Sequence, residues 1–466
     1  MLESVAQRCL PAPVYAWVCG WRERLIPKGS LQGRFAGAVF WSFAGVAVSN
    51  AAGLVTAVAL VRIMGREGYG EVGVIVGSYA LFSQLGGLGL GVTAAKYAAQ
   101  LRGTEPAAAG RLLGSVLILA SLSYGVSALA LAVFAPELAS VLNRPALVGP
   151  LRMSGLVLFL QGIDSIQSGI LAGFEAFRAV ARVSMLRVVV NLPVTVVGAY
   201  AYGLYGVVGA MIVSGLFTLT LNRLALNRVL LQGKVSLWYG IDLAVLRPLW
   251  ELSLPAFISA TLTIASSWAL NAMLVNQPGG YAQMGLFNAA NQWRALGILT
   301  PGVFSWVLLS IQTNLYATND HASYHRSVRG NLITQCVAAA LVVGVLVGFA
   351  SYLMKIYGSQ YEDGGGLLVL LALGWFFLTP SWILWNVAIS RGQVWWGLLF
   401  NAIGTGSLMA CAAHLVGTGA RGIALALLYS GMIQVGLQSI HYVANKRRDE
   451  AGNHLGASPS TMAERP

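Results

Sequence analysis

The sequence predicts an all-α polytopic membrane protein with about 12 transmembrane helices, arranged as two parallel six-helix repeats around a central cavity. Three observations support this prediction. Of the 466 residues, 57% are apolar and only 10% are charged, whereas about a quarter of the residues in soluble domains are charged. Twelve apolar runs are long enough to cross a bilayer as helices, which takes about 20 residues. Short sequence patterns also recur at spacings of 212 to 216 residues.

The twelve apolar runs follow one another along the chain with short connections. They lie near residues 38–62, 72–96, 112–134, 149–172, 179–201, 204–227, 252–275, 283–310, 330–354, 366–390, 393–416 and 421–443. Pro193, Pro255, Pro301 and Pro380 fall inside these runs. Bilayer helices tolerate proline where neighbouring helices satisfy the freed backbone groups, so we predict continuous spans at these positions.

The distribution of basic residues predicts the orientation. If the N-terminus lies in the cytoplasm, 21 of the 29 Lys and Arg residues fall in cytoplasmic segments and six fall in outer segments. Cytoplasmic loops normally carry the excess of basic residues, so both termini are predicted inside. The net charge of +13 follows from this asymmetry and from the anionic inner leaflet. We therefore expect membrane lipids as partners and no nucleic acid.

These spans and charges divide the chain into five predicted parts. The parts are a cytoplasmic N-terminal tail at 1–34, an N-terminal six-helix bundle at 35–231, a cytoplasmic linker at 232–250, a C-terminal six-helix bundle at 251–443 and a cytoplasmic basic tail at 444–466. Each bundle holds six of the twelve runs.

Two pairs of segments indicate a duplication. "GREGYGEVG" at 65–73 and "QPGGYAQMG" at 277–285 each join the first and second predicted helices of a bundle on the outer side. "YGVVGAMIVSG" at 205–215 and "RGIALALLYSG" at 421–431 each open the sixth. Such nearly constant spacing is typical of a repeated unit. Because six spans return the chain to its starting side, the repeats should be parallel, with a cavity between them.

Two long stretches carry a family resemblance. "VRIMGREGYGEVGVIVGSYALFSQLGGLGLGVTAAKYAAQL" at 61–101 and "SIQSGILAGFEAFRAVARVSMLRVVVNLPVTVVGAYAYGLYGVVGA" at 165–210 resemble regions of the bacterial polysaccharide transporters. These are the O-antigen flippase type of the multidrug/oligosaccharidyl-lipid/polysaccharide (MOP) exporter superfamily. The resemblance covers roughly residues 35–445.

The resemblance implies a flippase of the bacterial cytoplasmic (inner) membrane. Its cargo would be an undecaprenyl-diphosphate-linked oligosaccharide for surface polysaccharide biosynthesis, moved from the inner to the outer leaflet by alternating access. Polysaccharide polymerase machinery would be a further partner. We expect no enzymatic activity, and therefore no catalytic residue, metal or cofactor.

Two alternatives remain. A drug/cation antiporter of the same superfamily would have the same fold, and its cavity would be expected to carry carboxylates for cationic cargo. A membrane polysaccharide polymerase or ligase would need a catalytic surface outside. The predicted outer loops are short and contain few His, Asp or Glu residues.

Arg294 is the first candidate substrate-binding residue. It falls near the middle of the eighth predicted helix, which contains no acidic residue. A charge at a helix centre costs about 2.5–3.5 kcal/mol and normally faces a partner or a wet cavity. A diphosphate suits a guanidinium because the planar donor fork matches phosphate oxygens. Alternatively, Arg294 satisfies carbonyl groups freed near Pro301, or meets an acid from another helix.

Asp164 and Arg187 form the second candidate site. They lie at similar predicted depths on adjacent helices, the fourth and fifth. They either form a structural salt bridge, or act in transport as a titratable coupling aspartate and a substrate-binding arginine. The sequence leaves both interpretations open.

Three further residues are candidates near the membrane surfaces. Arg152 and Lys96 are predicted substrate-binding residues near the outer and inner ends of their helices, and both could instead snorkel to the interface. His414 is a candidate for proton coupling because histidine titrates near neutral pH. It could also be structural, since it lies alone near a helix end.

Overall fold

The computed structural model describes residues 31–101, 105–233, 235–238, 240, 254–297, 308, 311–318 and 320–456. In the N-terminal half, the helices are α1 (Leu31–Gly87), α2 (Leu90–Leu101), α3 (Pro106–Val133), α4 (Ala135–Val141), α5 (Val148–Gly173) and α6 (Phe177–Gln232). In the C-terminal half, they are α7 (Leu254–Val275), α8 (Gly280–Gly297), α9 (His321–Gly348), α10 (Ala350–Lys355), α11 (Gly365–Ser390), α12 (Val394–Leu415) and α13 (Ala420–Gly456). Short 3-10 turns occur at Pro145–Leu147, Ser359–Gly364 and Val416–Thr418.

Two of the helices are longer than a bilayer span because each joins two predicted spans without a loop. The helical backbone of α1 is broken by a kink at Gly65 (φ 70°, ψ −172°), and that of α6 by a kink at Gly203 (φ 55°, ψ −129°). Glycine adopts these positive φ angles without the steric penalty of a Cβ atom. The predicted outer turn in "GREGYGEVG" is therefore a single-residue break at its first glycine.

Within the described residues, nine helices are long and apolar enough to cross a membrane. α6 contains two predicted spans, and α1 contains the first and most of the second, whose last residues lie in α2 beyond a break at Leu88 and Gly89. The described part of the remaining predicted span lies in α8. This agrees with the prediction of an all-α protein that crosses the membrane about 12 times. Pro193 and Pro380 lie inside α6 and α11, as predicted. Pro255 lies in the first turn of α7, and Pro301 is outside the described residues.

The helices pack as two groups joined mainly by one crossing. In the N-terminal half, α5 packs along α3 and α6; in the C-terminal half, α13 packs along α11 and α12. Leu113, Leu158 and Leu226 are fully buried at the centre of the first group. The most extensive packing between the halves joins α1 to α8.

The described part of the predicted linker lies against α3. The Trp238 amide donates to the Gly110 carbonyl oxygen at 3.2 Å, and the Ser115 hydroxyl donates to the Gly240 carbonyl oxygen at 2.9 Å. A Cβ atom at Gly110 would lie 1.9 Å from the Ser236 carbonyl oxygen. Glycine on α3 thus allows this backbone segment to rest on the N-terminal half.

The topology gives a first testable prediction. Reporter fusions after Gln232, at the end of α6, and after Asn445, within α13, should read as cytoplasmic. A fusion after Gln277, between α7 and α8, should read as external. The reason is the excess of basic residues in the predicted cytoplasmic segments. An external signal at Gln232 would contradict the division into six plus six spans.

Candidate functional site between the two halves

The two repeated sequence segments meet each other at one end of the molecule. We call this the outer end, following the orientation predicted from the basic residues. A Cβ atom at Gly70 of α1 would lie 2.0 Å from the Tyr281 carbonyl oxygen of α8, and one at Gly285 would lie 2.0 Å from the Arg66 carbonyl oxygen. Backbone therefore touches backbone at this crossing, which only glycine permits. The halves are closed against each other at the outer end.

Arg66 and Arg62 add polar contacts across the same closure. The Arg66 guanidinium forms an ion pair with Asp363 and lies 5.1 Å from the ring centroid of Tyr361. Arg62 Nη2 donates to the Ile356 carbonyl oxygen at 3.0 Å. Two basic residues of the N-terminal half thus bind the segment that links α10 to α11.

Tyr281 forms a further contact between the halves. Its hydroxyl donates to the Leu142 carbonyl oxygen at 2.8 Å, and the Arg144 guanidinium lies 5.4 Å from its ring centroid. Arg144 is fixed in turn by Glu71, at 2.7 Å between Nη2 and Oε1. Several of the basic residues predicted on the outer side are therefore paired with acids there.

Tyr357 forms a hydrogen bond within the C-terminal half at the same outer end. It lies between α10 and the 3-10 turn Ser359–Gly364. Burial raises the pKa of its hydroxyl above the usual range, so the hydroxyl stays protonated. It donates to the Ala289 carbonyl oxygen at 3.2 Å, which holds α8 against the segment that carries Asp363.

The Arg66–Asp363 pair gives a second prediction. Arg66→Asp or Asp363→Arg alone should increase the fraction of molecules in which the two halves are separated at the outer end. The double charge swap should restore the closed conformation. The effect should be small, about 0.2–1 kcal/mol, because Asp363 is 61% exposed and exposed ion pairs contribute little. Double electron–electron resonance between labels at Glu67 and Gln360, both exposed, would measure the separation. Equal distances in all four proteins would contradict a role for this pair.

Arg294 lies below the crossing on α8. It is 11 residues beyond the start of the predicted span at 283, about 16 Å along the helix axis, and therefore near the middle of a bilayer of about 30 Å. Its side chain is partly buried, and its Nε donates to Asn291 Oδ1 at 2.7 Å. Among the described residues, no carboxylate lies within 4 Å of it. Within the segments that the structure describes, the Arg294 charge is therefore bonded only to a neutral amide.

Asp164 is held by a neutral partner rather than by a cation. Its Oδ1 accepts from Asn222 Nδ2 at 2.6 Å, and the same amide donates to Ser168 Oγ at 3.0 Å. Arg187 has an exposed side chain and interacts electrostatically with Asp164. In the described part of the chain, the two charges form no ion pair within 4 Å. The roles of both residues in transport stay predictions.

Arg187 also lies near Tyr79, a residue that the sequence analysis missed. It interacts electrostatically with Tyr79, whose hydroxyl is hydrogen-bonded to Gln161. Gln161 precedes Asp164 by three residues, so the two lie on one face of α5. That spacing could have identified Gln161 from the sequence. Nothing in the sequence indicated Tyr79 or Asn222, because each is a neutral residue on a distant segment.

The other candidate residues lie apart. Arg152 on α5, Lys96 on α2 and His414 on α12 have exposed side chains. Among the described residues, no hydrogen bond or ion pair joins them to Arg294 or Asp164. Their predicted roles are untested by this arrangement. In the segments that the structure describes, no three His, Cys, Asp or Glu side chains are placed to hold a metal ion.

Solved structures with this arrangement of helices are membrane transporters. An inward-facing multidrug resistance MATE family transporter of the MOP superfamily is 15% identical, with a TM-score of 0.70 over 88% of this chain and 99% of that chain. An outward-facing transporter of the same kind is 17% identical, with a TM-score of 0.63 over 90% and 96%. This likeness confirms the predicted fold class, with two six-helix repeats around a central cavity.

A third structure is a MOP superfamily transporter from Pyrococcus furiosus, for which reversed polarity of the binding pocket suggests a different function. It is 18% identical, with a TM-score of 0.63 over 92% of this chain and 98% of that chain. No curated protein is significantly similar to this chain in sequence. Residues 36–305 match the family model described as polysaccharide biosynthesis protein. The chain therefore belongs to this family, as a multi-pass membrane protein with the transporter fold of the MOP superfamily.

Proposed function

We propose that the protein is a flippase for undecaprenyl-diphosphate-linked oligosaccharide in the bacterial inner membrane. The observation that carries this proposal is Arg294, a mid-membrane cation whose hydrogen-bond partner is the neutral Asn291. A charge at this depth is costly unless water or a counter-ion reaches it. A diphosphate headgroup passing between the halves would supply that counter-ion, and guanidinium binds two phosphate oxygens at once.

The closed outer end supports transport by alternating access. Gly70 and Gly285 bring the backbones of α1 and α8 into contact there, so cargo would enter from the inner side in this conformation. Opening the outer end requires these contacts and the Arg66–Asp363 pair to separate. In such transport, one helix bundle usually moves against the other, so that the central site opens first to one side of the membrane and then to the other.

Asp164 is our candidate for coupling to an ion gradient. Its carboxylate is bonded to Asn222 on α6, and Arg187 acts on it electrostatically. A change in its charge would alter the attraction between α5 and α6. His414, with its exposed side chain on α12, is the second candidate. In the same proposal, Arg187, Arg152 and Lys96 guide the anionic cargo at other depths.

The second candidate function is ion-coupled antiport of drugs or cations. The multidrug resistance transporters among the similar structures and the carboxylate of Asp164 favour it. The charge at mid-membrane on α8 opposes it, because Arg294 would repel a cationic cargo. Resistance of the host to cationic dyes would distinguish the two, since only the antiporter should change it.

Deletion of the gene tests the flippase proposal in cells. Loss of flipping should remove the surface polysaccharide and leave lipid-linked oligosaccharide in the inner leaflet. A plasmid copy of the wild-type gene should restore the surface polysaccharide, whereas a copy with Arg294→Ala should not. Unchanged surface polysaccharide, together with no accumulated intermediate, would rule out this function.

A further inference from the structure

Three amide side chains of the C-terminal half point at glycines of the N-terminal half. All three come from α7 or α8, and all three approach α1. In each case the amide nitrogen occupies or crowds the space that a Cβ atom would need. The pairs, with the distance from nitrogen to the ideal Cβ position, are Asn271 and Gly77 (2.9 Å), Asn288 and Gly73 (1.7 Å), and Gln292 and Gly53 (3.2 Å).

These amides gain little hydrogen bonding from the closure. In the described part of the chain, the buried Asn288 amide nitrogen has no hydrogen-bond partner. Buried donors are rarely left unpaired, because the lost hydration is not replaced. Nearby, Trp268 Nε1 donates to Ser78 Oγ at 3.0 Å. The closed crossing thus keeps polar groups against a glycine surface where apolar side chains would pack at lower cost.

The amides lie at depths between that of Arg294 and the outer end, with Arg294 on another face of α8. Gln292 and Asn288 lie four residues apart and share one face of α8, about 18 and 12 Å below Gly280. Asn271 lies four residues before the end of α7, about 6 Å from its outer end. Arg294 lies about 21 Å below Gly280 and is bonded to Asn291 on the neighbouring turn.

We propose that Asn271, Asn288 and Gln292 form the saccharide-binding strip of the transport path. The proposal rests on the flippase function and identifies the groups that bind the uncharged part of its cargo. Each amide offers two donors and an acceptor, which suits sugar hydroxyl groups that both donate and accept. A headgroup at the depth of Arg294 would leave the attached sugars closer to the outer end, at the depths of these amides.

The glycines of α1 cover the strip while the outer end is closed. When the halves separate, Gly53, Gly73 and Gly77 move away and the amides face the opened path. The hydroxyl groups of the cargo then satisfy the Asn288 amide nitrogen, which has no hydrogen-bond partner among the described residues in the closed state. The strip is therefore available to sugars in the conformation that releases them to the outside.

Binding to two lipids tests this proposal. The full chain is placed in nanodiscs, and affinity is measured for undecaprenyl diphosphate and for the lipid-linked oligosaccharide extracted from the deletion strain. Asn288→Ala and Gln292→Ala should each weaken binding of the glycosylated lipid about tenfold, the loss of roughly one hydrogen bond. Binding of undecaprenyl diphosphate should stay unchanged, which also shows that the variants fold.

The matched control is Asn445→Ala, an amide of α13 that bonds to Gln393 and should bind both lipids as the wild type does. Arg294→Ala should weaken binding of both lipids. The strip is wrong if Asn288→Ala and Gln292→Ala bind the glycosylated lipid normally, or lose both lipids equally. If the wild-type protein binds neither lipid, the proposed flippase function is wrong, and the proposed saccharide-binding strip is wrong with it.

Discussion

Arg294→Ala is expected to reduce flipping of lipid-linked oligosaccharide about a hundredfold or more. Removing one partner of a buried, hydrogen-bonded charge pair costs about 2–5 kcal/mol, and we expect that pair to be Arg294 and the diphosphate. Membrane abundance should stay nearly normal, since the variant removes a charge that is itself costly at mid-membrane. Transport would be measured in vesicles with the purified protein.

Two companion variants make the Arg294 result specific. Arg294→Lys keeps the charge and loses the planar donor fork, so it should retain only part of the activity. Arg329→Ala removes an exposed arginine from α9 and should transport at the wild-type rate. If Arg294→Ala also transports at that rate, Arg294 has a structural role and the assignment of this site is wrong.

Gly70→Ala is expected to prevent full closure of the outer end. The added Cβ would lie 2.0 Å from the Tyr281 carbonyl oxygen, and contacts under 3.0 Å essentially do not occur, so α1 and α8 must separate by about 1 Å or more at the crossing. Gly70→Ala combined with Gly285→Ala should separate them further. Labels at Glu67 and Gln360 should show a longer mean distance, and transport should fall because one conformation is disfavoured.

The control for this series is a glycine with free space around it. Gly344 lies in α9, and no atom of the described residues lies within 4 Å of its ideal Cβ position, so Gly344→Ala should change neither the distance nor transport. A Gly70→Ala protein with the wild-type distance distribution and normal transport would show that the crossing does not control closure.

The fold could be predicted because a bilayer imposes length and polarity on every span. Apolar runs of about 20 residues predicted the spans, and the duplicated glycine turns predicted which spans are equivalent. The sequence did not predict that α1 and α6 continue through their turns, since one glycine at positive φ replaces a loop at Gly65 and at Gly203. Nor did it predict that the two duplicated segments touch.

Only the charged residues of the candidate site could be predicted from the sequence. Arg294 and Asp164 were found because charges are rare within apolar runs. Their neutral partners were not found: Asn222 lies 58 residues from Asp164, and amides are common in loops and helices alike. Contacts such as Arg66 with Asp363, 297 residues apart, depend on how the two halves pack, which no local pattern indicates.

The most direct test is transport by the purified protein. Vesicles containing the protein and undecaprenyl-diphosphate-linked oligosaccharide in the inner leaflet would be probed with a sugar-cleaving enzyme added outside. The account predicts that the oligosaccharide becomes accessible in vesicles with the wild-type protein, and stays protected in vesicles with Arg294→Ala or without protein. Equal protection in all three samples would contradict the flippase function.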